Sequence, residues 1–210
     1  MTSLPTLSTI SAHPSHPGSP LARVLETLFE PSPILLSALE PELASTLKGK
    51  DLTSYHQLVD AALEAIASWD TSSQSEFISG HPRIGESKNL SNLSAREQGV
   101  TTPGVVPTPP EVLARLSHLN ACYETKYPGL RYITFVNGRS RRAIAEEMED
   151  VLGFEHSLLV DQPYLTSLSP AEAKGPEWQA ELHRAIRDVG LIAKSRLRMM
   201  GFEGMLSPNE

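Results

Sequence analysis

Two short stretches in the middle of the chain concentrate the side chains that could do chemistry. Residues 80–86 read GHPRIGE, and residues 94–99 read SAREQG. In the first, His81 stands between a glycine and a proline. Imidazole changes charge near neutral pH, so a positioned histidine can give or take a proton during a reaction. Pro82 disfavours a helical conformation at His81, and Gly85 permits a tight turn. His81 is therefore expected on a stiff loop, either facing a ligand or making one structural hydrogen bond. In the second stretch, Ser94 and Glu97 have the S-x-x-E spacing of a helix capping box. Glu97 beside Gln98 also sets a carboxylate next to a carboxamide, a pair able to clamp a ligand rich in amide and ureido groups. Both readings of Glu97, cap and clamp, stay open.

Other chemistries lack their patterns. His81, His118, Glu86 and Glu97 could be gathered around a metal. However, no HExxH, no histidine pair at i, i+4 and no Cys/His cluster supports one, so no metal is expected. A P-loop, a G-x-G-x-x-G after a strand and a G-x-S-x-G elbow are all missing, which leaves nucleotide cofactors unsupported. The one cysteine, Cys122, falls in an apolar helical pattern and reads as a small buried hydrophobe. A single cysteine allows no intrachain disulfide framework, which fits a reducing compartment.

The formal net charge of -7 disfavours a nucleic-acid partner. The most basic stretch, GRSRRA at 138–143, has EEMED close behind it and reads as a solvated helix face. No apolar run reaches the roughly 18 residues of a membrane span, so no membrane partner is expected. The first twenty residues hold no cationic residue and no long apolar block, and so do not read as a secretory signal. The final residues, SPNE, do not match the peroxisomal tripeptide address.

The elements that must position these residues are helical. Apolar residues recur at helical spacing and strand-like alternation is nearly absent. The expectation is an all-α fold: a single-domain helical bundle of about eight helices with a Gly/Pro-rich active-site loop. Residues 1–20, rich in Ser, Thr and Pro, are expected to be a flexible tail, with the helical domain over 21–205. SPILLSALEPELASTL reads as two short helices broken at Pro41. Residues 53–69 read as a helix capped by Ser54 or Thr53, and SSQSEFISG as a short helix closed by Gly80 as its C′ glycine.

From Gly80 to Pro110, four glycines and five prolines mark a long irregular segment, and such segments in compact domains tend to be functional. Helix resumes over 109–127, with Val112, Leu113, Leu116, Leu119, Asn120 and Tyr123 on one side. LRYITFV (130–136) reads as extended or turn-like. A helix over 140–153 follows, then a long C-terminal helix ending near Met200. On that last helix Arg196 falls in the apolar stripe with Val189, Ala193 and Leu197, and an inward guanidinium needs a partner.

Taken in order, GHPRIGE, LSAREQ, LSHLNACYETKYPGLRYITFVNGRSRRAIAEEMEDVL and IAKSRLRMM resemble the 2-oxo-4-hydroxy-4-carboxy-5-ureidoimidazoline (OHCU) decarboxylases of urate breakdown. The resemblance spans roughly residues 20–200. It implies a cofactor-free, all-α carboxy-lyase, usually a homodimer, that converts OHCU to (S)-allantoin and CO2 in the peroxisome or the cytoplasm. The implied ligand is a small ureidoimidazoline. By matching positions, the resemblance implies that His81, Glu97 and Arg196 are catalytic. It further implies that Pro82, Ser94, Gln98, Tyr132, Ile133, Thr134, Phe135 and Val136 bind substrate. Under this reading His81 is the general acid–base, Glu97 and Gln98 hold ureido or ring N–H groups, and Arg196 pairs with a substrate oxygen.

Two stretches differ from the commoner family pattern. Arg83-Ile84-Gly85-Glu86 stands where many members read D-L-A-G, and Leu130-Arg131-Tyr132 alters a wall that commonly reads F-G-[FY]-P-F. The alternative reading is an inactive family member acting as a helical ligand-binding or scaffold protein. A metal hydrolase comes third.

Overall fold

The computed structural model describes residues 4–12, 15–86, 93, 95, 108–156 and 159–202. Among these residues there are eight α-helices and no strand, so the chain is all-α, as its periodicity implies. The helices are α1 (Leu7–Ala12), α2 (Pro20–Phe29), α3 (Glu40–Thr46), α4 (Tyr55–Ser68), α5 (Thr71–Ser79), α6 (Pro110–Lys126), α7 (Arg141–Leu152) and α8 (Pro176–Met199). No helix among the described residues is long and apolar enough to cross a membrane. The chain divides into two compact units: Met1–Gly80 with Ile186–Glu210, and His81–Ala185.

In the first unit, each main helix starts where the chain supplies a side-chain acceptor. Ser19 Oγ accepts from the Ala22 N–H at the start of α2, and Ser54 Oγ from the Gln57 N–H at the start of α4. Asp70 takes the Ser72 and Ser73 N–H groups at the start of α5. Each cap contributes about 1 kcal/mol. The core these helices cover includes Leu25, Leu28, Phe29, Leu35, Leu39, Leu43, Leu58, Ile66 and Phe77, all fully buried.

Three details of this unit differ from expectation. First, Pro41 does not separate two helices. A π-helical turn at Leu35–Leu39 runs directly into α3, with Ile34, Leu39 and Glu40 all in right-handed helical conformation and the Glu40 N–H bonded to the Leu35 carbonyl. Second, residues within 1–20 form a helix and side-chain contacts. α1 buries Ile10, the Tyr55 hydroxyl donates to the Pro5 carbonyl at 2.6 Å, and Ser15 and Ser19 both donate to the buried Glu40 carboxylate. Third, Gly80 has a right-handed φ of −70°, so no left-handed cap requires glycine there. A Cβ on it would lie 2.8 Å from Ser32 Cβ, so close approach is the reason for the glycine.

The stripe arginine finds its partner inside this unit. Arg196 is 2 % exposed. Its Nη2 donates to Glu30 Oε1 at 2.5 Å, and its Nη1 donates to the carbonyls of Thr27 and Leu28. Those two carbonyls belong to the last turn of α2, which lacks intrahelical donors, so Arg196 caps the helix and neutralises Glu30 at its end.

In the second unit, α6 packs against α7. Ser140 Oγ caps α7 by accepting from the Ala143 N–H, and Gly153, at φ +74°, ends it in the left-handed conformation that glycine adopts without strain. A buried ion pair, Arg115 Nε to Glu149 Oε1 at 2.7 Å, joins the two helices, while Arg115 Nη1 donates to the carbonyls of Leu159 and Gln162. The start of α8 is tied on by Trp178 Nε1 donating to the Pro128 carbonyl and by the Tyr123 hydroxyl donating to Glu181.

Removing one member of a buried ion pair costs about 3–5 kcal/mol, because the other charge is left without compensation. Arg196→Met is expected to lower unfolding stability by that order, read from the urea midpoint at constant slope. Gly80→Ala is expected to cost about 1–3 kcal/mol from the clash, and adding Ser32→Gly should return part of it in the same assay.

Candidate active site

The GHPRIGE loop is held by two residues one turn apart on α6. Asn120 Nδ2 donates to the Ile84 carbonyl at 2.9 Å and to the Leu116 carbonyl at 2.8 Å. Glu124 accepts from Arg83 through both oxygens, Nε to Oε1 and Nη2 to Oε2, each at 2.7 Å. This two-pronged geometry fixes orientation as well as distance, and it holds the Arg83 guanidinium well above its ordinary pKa. Glu86 lies 3.3 Å from Arg83 on the other side. Gly85 sits at φ +85°, and a Cβ there would stand 3.1 Å from two Leu116 carbons, so both conformation and space require glycine.

His81 is clamped as well. The Arg131 Nη1 donates to the His81 carbonyl, and Arg131 Nε lies 4.0 Å from Glu124. The imidazole-bearing residue is 6 % exposed, and Pro82 beside it is partly buried. The two departures from the commoner family pattern therefore meet at one carboxylate. Arg83 from the first and Arg131 from the second share Glu124.

The stretch over 130–136 carries no regular element, which fits its reading as extended or turn-like. Tyr132, Ile133 and Thr134 are buried, while Phe135 and Val136 are partly so. The Tyr132 and Thr134 hydroxyls both donate to Glu147 Oε1, at 2.9 Å each. Burial pushes the Tyr132 hydroxyl up to about 12, so it stays protonated and donating. Asn137 and Gly138, both at positive φ, turn the chain so that Arg139 folds back. Arg139 donates to the carbonyls of Phe135 and Val136 and to Glu147. Arg184 Nη1 donates to the Ile133 carbonyl at 2.8 Å, and its guanidinium lies 5.0 Å from the Tyr132 ring centre. Guanidinium groups thus hold three carbonyls of this segment.

Asn120, Glu124, Glu147 and Arg139 thus position the loop and the wall, and none was singled out for this from sequence. The i, i+4 spacing of Asn120 and Glu124 on one helix was the available signal. Ser94, Glu97 and Gln98 lie outside the described residues. Arg196 belongs to the first unit, where Glu30 is its partner.

His118 and Cys122 sit one turn apart, with Cys122 Sγ 3.3 Å from His118 Nε2. Yet His118 Nε2 also lies 2.9 Å from the Pro163 carbonyl, and burial raises the Cys122 thiol pKa. A buried thiol kept protonated is a packing residue, as the sequence implies, not a nucleophile. Among the described residues, no group of three His, Cys, Asp or Glu side chains is placed to hold a metal ion.

A family profile described as OHCU decarboxylase matches residues 15–156, more than half of the chain. The chain belongs to the OHCU decarboxylase family. Membership carries the general function, a decarboxylase acting on a small molecule. The matched residues include the His81 loop, SAREQG and the 130–136 wall, and end before α8, which bears Arg196. No curated protein matches the chain.

The Arg83–Glu124 pair is partly exposed, at 41 % and 29 %, so solvent weakens it to about 1 kcal/mol of coupling. A double-mutant cycle with Arg83→Met and Glu124→Gln should return a coupling energy of that size in urea unfolding. Additive single effects would show that the two side chains act independently.

Proposed function

We propose that this family member catalyses decarboxylation of OHCU to (S)-allantoin and CO2, without a cofactor, in urate degradation. The observation that carries the reading is the fixation of His81. Its carbonyl is held by Arg131, and the loop after it by Asn120 and Glu124. A histidine with its backbone immobilised and its side chain buried in the family-matching loop is suited to transfer a proton to one face of a substrate.

The chemistry needs little more from the protein. As the bond to the carboxylate breaks and CO2 leaves, its electron pair forms a C=C bond to the carbon bearing the ureido group while the C=N nitrogen takes up a proton from solvent, giving an enol-type intermediate. A proton must then reach one face of the carbon bearing the ureido group, and the hydroxyl proton must leave to regenerate a carbonyl. His81 is the group assigned to this proton transfer. Glu97 and Gln98 are assigned the ureido and ring N–H groups. The N–H groups of Tyr132–Val136 are assigned the ring oxygens as acceptors. Pro82 and Ser94 complete the wall. Arg196, which the resemblance marks as catalytic, is assigned the role its bonds describe: cap of α2 and partner of Glu30.

The test couples urate oxidase and hydroxyisourate hydrolase to this protein and follows ellipticity. Chirality is the necessary readout, because OHCU decays by itself to racemic allantoin. The protein should accelerate the appearance of the (S)-allantoin signal. His81→Ala should keep its unfolding midpoint and lose about 10²–10⁴-fold in that rate. Wild-type ellipticity kinetics in His81→Ala would sink the mechanism, and saturable allantoin binding with no turnover would mark the scaffold reading instead.

A further inference from the structure

Arg141 stands apart from the other arginines of its unit. Among the described residues there, Arg83, Arg115, Arg131, Arg139, Arg142 and Arg184 each have a carboxylate within 4.0 Å. Arg141 has none. Its Nη1 donates to the Thr108 hydroxyl at 3.3 Å, while its Nε and Nη2 are buried and make no hydrogen bond. Burial lowers its pKa, with no anion acting in the opposite direction. A guanidinium cannot escape this by losing its proton. Its demand for acceptors at Nε and Nη2 is left unmet among the described residues.

Helix stability does not explain the placement. Arg141 is the first residue of α7, where the helix dipole disfavours a cation. Ser140 already caps that end through the Ala143 N–H. The chain position is informative in another way. Arg139, two residues earlier, grips Thr134, Phe135 and Val136, so Arg141 begins its helix directly beyond the clamp on the proposed substrate wall.

We propose that Arg141, with the Thr108 hydroxyl, forms an anion site that receives the carboxylate of the bound small molecule. The two unbonded guanidinium nitrogens form a fork suited to the two oxygens of a carboxylate. The Thr108 hydroxyl accepts from Nη1 and keeps its own proton to donate to the same anion. The identity of the carboxylate as that of OHCU rests on the decarboxylase reading, whereas the existence of the anion site does not.

Two measurements test this. In the coupled ellipticity assay, Arg141→Met should raise KM by about tenfold or more, as expected for losing hydrogen bonds to a charged group. Its kcat should change less, Arg141→Lys should fall between, and unfolding midpoints should stay close to wild type. Inhibition by (S)-allantoin, which lacks the carboxylate, should be the same in all three proteins. Separately, oxalate is titrated into the ¹⁵N-labelled wild-type protein with chloride as control. The Arg141 Nε–Hε resonance should shift and saturate with oxalate alone. An unchanged KM in Arg141→Met, or no saturable oxalate shift, overturns the proposal. If the wild type shows no turnover, the decarboxylase reading fails and the oxalate titration decides the anion site by itself.

Discussion

Glu124 is the carboxylate on which the arrangement of the second unit depends. It projects from α6 one turn beyond Asn120, and the two residues grip the loop that carries His81. A loop with two glycines and a proline has few internal contacts of its own. Its ordering entropy must be offset from outside, and a helix offers a rigid row of side chains at fixed spacing to do so. The charge on Glu124 serves both Arg83 inside the loop and Arg131 across from it. Two cations flanking one carboxylate would repel each other if the anion were removed. The loop, the wall and the helix are therefore electrostatically coupled.

The same physics recurs through both units. Glu147 gathers two hydroxyls and Arg139 around the 132–136 wall. Glu181 gathers Tyr123 and Arg184, and Glu149 gathers Arg115. Glu30 gathers Arg196 in the first unit. A buried carboxylate is tolerated only with such company. Each cluster also supplies donors to backbone carbonyls that have no partner in a helix, at the end of α2 and along the extended wall. The guanidinium groups act as substitutes for secondary structure where the chain has none. Against that background an arginine with no carboxylate is conspicuous.

Much of the fold was legible in the sequence. The 3.6-residue periodicity located α4, α6, α7 and α8, and Ser54 was readable as a cap. Pro41, Gly80 and the N-terminal stretch were read less well. Pro41 reads as a break because nothing in the local sequence marks the π turn that carries the helical path up to it. Gly80 was assigned a left-handed cap, but its reason is the approach of Ser32, forty-eight positions earlier in numbering. The tail composition hid Ile10, whose burial depends on neighbours that come later in the chain.

For the site, the sequence by itself determined which residue types were available and on what local scaffold. It marked a histidine in a rigid loop, an extended wall at 130–136, and an arginine on an apolar stripe that needed a partner. Local spacing carries that information, because turn and helix geometry repeat over a few residues. Only the tertiary structure decided the pairings: Arg196 with Glu30, Arg83 and Arg131 with one Glu124, Arg139 with Glu147, and Arg141 with no carboxylate among the described residues. Which of several arginines is neutralised inside the protein depends on distances set by helices far apart in the chain. That choice fixes which cations already have an anion beside them among the described residues.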